Sequence, residues 1–279
     1  MRLSLCIATV LAMTPNLSAG DADEFIRKAR AALKKGDAAA AMDAATKAVE
    51  ADPKSPDAVF LRGEAYAAQR KHAEAIKDYE AALALDKTYL LAVDRRGGER
   101  FKLGLIQESI DDFNAYLKAF PRDEPGHWRR GISFYYAGKY AEGAKQFYDG
   151  RVVFGADVEN AFWHFLCNAR KEGVEKARKY LLALDGEDKR VPMMRVYDML
   201  QAKVKPAEVI ETAEKAKLEG DARTEALFYA HLYVALYFEA VGEPDKCKEY
   251  LTPAVEKYQI GHYMWDVANV HLGHIKKKG

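Results

Sequence analysis

Four of the seven histidines, His231, His262, His271 and His274, fall in the C-terminal part of this 279-residue chain, and they are the first candidates for chemistry. His271 and His274 are three apart, close enough on one helix to share a metal ion. No HExxH, no CxxC pair and no acid at a matching spacing accompanies them, so packing or solvent-facing histidines are the plainer reading. The sequence also lacks a G-x-S-x-G elbow, a phosphate-binding glycine loop and a Cys–His pair with local support. No catalytic residue, no metal and no cofactor is therefore expected. Cys167 and Cys247 fall inside predicted helices and read as buried thiols packed like small hydrophobes. A disulfide between them stays open for an oxidising compartment, although their spacing requires none. Three arginines, Arg62, Arg96 and Arg130, recur at one interval, each directly before a glycine. A basic ladder for a polyanion is one reading; the preferred one is structural, with stems covering a neighbouring helix and heads pairing with acids.

The interval between those arginines is 34 residues, and it organises the chain. Units begin at Ala22, Pro56, Leu90, Glu124 and Val158. Their eighth positions are Ala29, Gly63, Gly97 and Gly131, and their twentieth are Ala41, Ala75, Ser109, Gly143 and Ala177, small wherever two helices must cross. The twenty-fourth positions are Ala45, Tyr79, Phe113, Phe147 and Leu181, and Pro53 and Pro121 follow second helices. Apolar spacing and stop signals predict helices over 24–35, 38–51, 58–70 and 73–85, with Gly36, Gly104 and Gly138 as inter-helix turns. The fifth unit is degenerate because Phe165 replaces the small eighth residue, which must widen or tilt that crossing. The register then breaks at the polar loop 185–190. Helices are expected from Val191-Pro192 through Ala202, from Lys205-Pro206 to about Leu218, over 227–241 and over 245–258. A last helix over 263–274 carries Met264, Val267, Ala268 and His271 at helical spacing and reads as a cap. No segment alternates as a strand should.

A period of this length, with Leu61-Arg62-Gly63-Glu64-Ala65-Tyr66, Arg95-Arg96-Gly97 and Arg129-Arg130-Gly131 as its motif segments, resembles the tetratricopeptide (TPR) repeat. The resemblance implies an all-α right-handed TPR superhelix, an α-solenoid of about six helix-turn-helix pairs with a C-terminal capping helix. The expected divisions are a signal peptide at 1–20, five TPR or TPR-like repeats at 22–184, an irregular helical connector at 185–225, and a TPR-like pair plus cap at 226–279. In that family the first helices line a concave groove. Carried onto this sequence, the groove positions give Phe60, Asp94, Arg95, Trp128, Arg129, Tyr135, Phe162 and Trp163 as the partner-binding residues. Aromatic and arginine side chains dominate binding hot spots, and Trp128 beside Arg95 and Arg129 suits a peptide with an acidic group. Chaperone-binding members carry a clamp of lysine, arginine and asparagine. Here Ile26, Arg30, Leu61 and Leu91 stand at its positions and Arg95 alone agrees, so a co-chaperone role is not expected.

Lys and Arg number 43 against 42 Asp and Glu, a balance that argues against nucleic acid as principal partner. Arg2, an apolar stretch from Leu3 to Met13, Pro15 and Ser18-Ala19-Gly20 describe a signal peptide cut after Ala19 or Gly20. The apolar run is too short to span a bilayer comfortably, so no stable membrane insertion is expected after cleavage. The C-terminal half, with Leu227-Phe228-Tyr229-Ala230-His231-Leu232-Tyr233 through Gly242, resembles the NlpI-type TPR proteins of the bacterial envelope. That resemblance implies an envelope scaffold. The expected function is an exported, periplasmic or secreted, non-catalytic adaptor that holds a protein or peptide in its groove. The alternatives are a metal-dependent hydrolase using the C-terminal histidines and a self-assembling structural protein, and homo-oligomerisation is left open.

Overall fold

The computed structural model describes residues 19–278 and is helical throughout, with no strand among the described residues. Most of the expected signal peptide lies outside them. Two compact units divide at Ala92 and Val93.

In the first unit, α1 (Ala19–Lys34) pairs with α2 (Ala38–Ala51), and α3 (Pro56–Ala68) with α4 (His72–Leu85). Local chemistry sets the ends. The Asp37 carboxylate accepts from the Ala40 amide at 2.9 Å, and Ser55 accepts from Ala58 with Pro56 in the first turn of α3. Gly36 takes a left-handed φ of 74° between the first two helices, but the equivalent turn of the second hairpin puts Arg70 at φ 59°. A side chain there pays a conformational cost that glycine avoids. The pairing itself is built on size. A Cβ on Gly63 would lie 2.8 Å from the Tyr79 ring, so the eighth residue must be glycine for the twenty-fourth to be aromatic.

The second unit opens within α5 (Leu90–Lys102), which carries the boundary, and continues with α6 (Ile106–Ala119). A 3-10 turn at Pro121–Gly126 was not foreseen in the sequence; it leads into α7 (Trp128–Tyr136) and α8 (Tyr140–Gly150). The same device recurs: Cβ atoms on Gly97 and Gly131 would meet Phe113 and Phe147 at 2.9 and 2.7 Å. The arginine ladder is intra-repeat in both units. Arg62 grips Asp78 through Nε and Nη2, each at 2.8 Å, and Arg96 grips Asp112 at 3.0 and 2.7 Å. Arg130 replaces the acid with Gln146 Oε1 and adds Glu124. Each arginine thus ties its repeat's first helix to the second, sixteen residues on.

Beyond 150 the hairpin rule lapses. α9 (Val158–Glu172) is buried at every position from Asn160 through Ala169, and its partner α10 (Val174–Lys179) has only six residues. Leu181, at the twenty-fourth position, lies past the helix. α9 instead packs also against α11 (Met193–Leu200) and α13 (Gly220–Ala240), the latter nearly as enclosed. A helix buried on all sides needs neighbours on all sides, here including one over the stripe Asn160, His164 and Asn168. α13 starts seven residues before the expected 227, because Ala226 and Leu227 already belong to the core. α12 (Pro206–Lys215), α14 (Pro244–Glu256) and α15 (Tyr263–Lys278) complete the unit. Met264, Val267, Ala268 and His271 of α15 are all buried, on the face their spacing defines. Cys167 and Cys247 are buried free thiols, and burial pushes the Cys247 thiol up to about 12. No helix among the described residues is long and apolar enough to cross a membrane.

Candidate functional site

The second unit holds seven of the eight expected groove residues, and they separate into two clusters. Phe60 belongs to the first unit, buried against Tyr79 and Tyr89 with ring centroids 5.6 and 5.1 Å away.

The first cluster is centred on Asp94. His127, the N-cap of α7, accepts from the Arg130 amide at Nδ1, so its proton sits on Nε2 and is donated to Asp94 Oδ1 at 2.9 Å. Arg129 Nη2 donates to both Asp94 oxygens at 2.9 and 2.7 Å, and Arg95 Nη1 reaches Oδ2 at 3.1 Å. Burial alone would raise the Asp94 carboxyl, but the His127 and Arg129 donors hold it down at about 2. Asp94 thus offsets one of the two positive charges on Arg95 and Arg129, and the two guanidiniums share it. The carboxylate that receives these bonds stands 33 and 35 residues away in sequence from His127 and Arg129.

The second cluster is aromatic. Phe162, Trp163 and Tyr135 are buried, and their rings face other side chains. Phe162 meets Tyr233 at 4.6 Å, and Trp163 meets Tyr135 edge-on at 5.5 Å and stacks on Phe147 at 6.2 Å. The Tyr135 hydroxyl donates to Glu239 Oε2 at 2.5 Å. Half-buried Trp128 stands edge-on to Tyr263, 5.3 Å away.

Trp128 and Trp163 converge on a cavity of about 200 Å³, lined also by Phe147, Phe154, Asp157, Glu159, Asn160, Arg190 and His262. Two buried polar atoms of these residues, Trp163 Nε1 and Asn160 Oδ1, have no hydrogen-bond partner among the described residues, and the Asn160 oxygen lies against Gly150. Asn160 is oriented by its amide nitrogen, which donates to the Phe147 carbonyl at 2.9 Å. Asp157 caps α9, its Oδ1 accepting from the Glu159 amide at 2.7 Å. Arg190 donates to Asp188 from Nε and Nη2, to Asp157 from Nη2 at 2.8 Å, and to Glu159 from Nη1. Glu159 also accepts from the Tyr233 hydroxyl. Burial raises the Glu159 carboxyl against the opposing pull of Arg190.

Sequence reasoning did not single out His127, Glu159, Asn160 or Arg190. Asp157 before an apolar helix is a cap signal, and 185–190 is legible as a polar loop, but nothing in sequence spacing joins Arg190 to residues 31 and 33 positions earlier. Among the described residues no group of three or more His, Cys, Asp or Glu side chains is placed to hold a metal ion. His271 instead hydrogen bonds with Tyr136 at 3.0 Å and contacts Cys247 at 3.6 Å.

Comparison with known proteins places the repeats. Residues 26–89 match the family model described as tetratricopeptide repeat. RNA polymerase II-associated protein 3 of Homo sapiens is 35% identical over 91 residues, which is 33% of this chain and only 14% of that protein's length. A solved structure described as the first TPR of Spaghetti (RPAP3) bound to HSP90 peptide SRMEEVD is 31% identical, covering 39% of this chain and 86% of that one, with a TM-score of 0.37. A tetratricopeptide repeat protein from Parabacteroides merdae ATCC 43184 covers 92% of this chain and 99% of its own at a TM-score of 0.56 and 16% identity, a likeness of fold. With the 34-residue period, the glycine–aromatic crossings and the family match over 26–89 in agreement, the chain is a tetratricopeptide-repeat protein.

Proposed function

We propose that this chain is an exported, non-catalytic adaptor that holds a protein or peptide partner, with the cavity between Trp128 and Trp163 as its anchoring point. The observation that carries the reading is the cavity of about 200 Å³ beside half-buried Trp128 and Phe154, set in a helical-repeat scaffold. The aromatic rings beside it supply the buried area that hot spots need. Export rests on the sequence from Arg2 through Gly20, and native protein beginning at Gly20 or Asp21 by intact mass supports it; retained Met1 on cytoplasmic material overturns it.

The binding reading is tested by affinity capture from native extract followed by direct titration of the captured partner. Trp128→Ala should leave circular dichroism nearly unchanged and weaken the partner about tenfold, as truncation of a hot-spot side chain does. Undiminished affinity in a folded Trp128→Ala protein places the partner elsewhere on the molecule.

A further inference from the structure

The last helix does more than cap the array. α5 and α7 pack on α6 and α8 through Gly97 and Gly131, which face Phe113 and Phe147. A second face of the same two helices carries Gly98, Phe101, Lys102, Trp128 and Tyr136, and α15 lies along it. The Tyr263 ring stacks on Phe101 at 5.7 Å, meets Trp128 edge-on at 5.3 Å and comes within 3.8 Å of where a Cβ on Gly98 would stand. Lys102 Nζ stands 5.4 Å from the centre of that ring and 3.8 Å from the Asp266 carboxylate. Further along, Tyr136 hydrogen bonds with His271 at 3.0 Å and meets the His274 ring edge-on at 6.1 Å. Tyr263, Val267, His271 and His274 form one helical stripe, the pattern of an amphipathic helix laid into a groove.

The polar part of this fit is incomplete. The Tyr263 hydroxyl is buried without a hydrogen-bond partner among the described residues. The Tyr136 hydroxyl reaches the Val267 carbonyl only at 3.5 Å, and Lys102 sits closer to Glu99 of its own helix, at 2.6 Å, than to Asp266. Contacts at the edge of range and a hydroxyl left unmatched hold a helix weakly. The apolar grip comes from buried Met264, Val267, Ala268 and Leu272, so a competitor must bring a comparable apolar face. The link 257–262, with exposed Gly261, joins α15 to α14. His262 and Met264, at its start, also line the cavity beside Trp128, so a shift of α15 opens that cavity.

We infer that the α5–α7 face is a helix-binding surface which α15 occupies in the resting chain, and that the partner is an amphipathic helix bearing an aromatic residue, an acid three positions on and an aliphatic one at the fourth, as Tyr263, Asp266 and Val267 do. The inference rests on the adaptor reading above and names the partner's form. α15 is then a tethered competitor, present at an effective concentration on the order of millimolar. The partner displaces it by its stronger hold on the open state.

The test uses the full chain and, as probe, a fluorescent peptide of residues 262–275. Tyr263→Ala in the chain takes the ring from Phe101 and Trp128 with no hydrogen bond lost. It should raise affinity for the wild-type peptide at least about tenfold, whereas a peptide carrying the same change gains less than about twofold. Adding Trp128→Ala to that chain should remove the gain. In the ligand-free wild type, backbone amides over 266–274 should exchange as one unit and faster than those over 227–236 in α13. Equal peptide affinity in the wild type and a folded Tyr263→Ala chain, or a gain indifferent to the peptide's tyrosine, overturns the inference. So does α15 exchange that occurs only with α13, or that rises stepwise towards residue 274 as end fraying does; exchange alone decides if Tyr263→Ala fails to fold. Loss of the captured partner in Trp128→Ala with α15 exchanging only with α13 leaves the adaptor reading standing and removes this one. Peptide binding at this face with undiminished partner affinity in Trp128→Ala removes the cavity as anchoring point and keeps the helix-binding surface.

Discussion

The fourth and fifth helix pairs begin one repeat apart and obey different rules. In α7–α8, Gly131 admits the Phe147 ring, Arg130 binds Gln146, and α8 keeps an exposed face. In α9–α10 the eighth residue is Phe165, fully buried, the second helix stops after six residues, and α11 and α13 supply the cover. The first arrangement is held by contacts between residues sixteen apart; the second depends on segments tens of residues downstream. Function follows the same line. In the regular hairpins the repeat arginine finds its partner on the second helix, whereas the start of α9 gathers a cap, a loop arginine and aromatic rings, and leaves two buried polar atoms unmatched among the described residues.

The comparison is broken most severely at Phe165. Phe165→Ala should cost about 3 to 5 kcal/mol in chemical denaturation of the second unit, since a large cavity opens in a helix covered on all sides. Gly131→Leu, an insertion into the regular crossing, should cost about 1 to 3 kcal/mol. Equal, negligible effects would mean that the two crossings are not built differently.

Acid separates α9 from the regular repeats in another way. Burial lowers the His164 imidazole of α9 to about 4, below its ordinary value of 6.5, so the folded state keeps it neutral while the unfolded chain protonates first. Stability from this residue is fully present above about pH 6.5 and is lost as pH falls towards 4, roughly 3 kcal/mol in all. Asp94, held at about 2 against an ordinary 3.8, gives stability that is present above about pH 4 and lost as pH falls through 2, roughly 2 kcal/mol. Denaturation midpoints across pH should therefore fall in two windows, His164→Gln removing the upper and Asp94→Asn the lower. A single window untouched by either variant contradicts the assignment.

The regular repeats were legible because their signals are local. Gly63, Gly97 and Gly131 announce close crossings at fixed spacing, and the structural reading of Arg62, Arg96 and Arg130 follows from acids or an amide sixteen residues later. The buried face of α15 was equally plain from Met264 to His271. Tyr135, Phe162 and Trp163 read as groove residues only while α9 was treated as an ordinary first helix; the cover from α11 and α13 has no periodic signature. Nor could spacing reveal that Arg95 and Arg129 share Asp94, or that Arg190 closes over the cap of α9, because both are made by tertiary proximity.

Trp128→Phe addresses the central claim most directly, since it trims the half-buried ring beside the cavity and keeps an aromatic side chain in place. A structural residue and a ligand-binding one respond in opposite ways. The account predicts near-unchanged unfolding, because the ring is only half-buried, together with a fall of about fivefold in affinity for the captured partner, the worth of roughly 1 kcal/mol of lost contact. Unchanged affinity in a normally folded Trp128→Phe protein would contradict it.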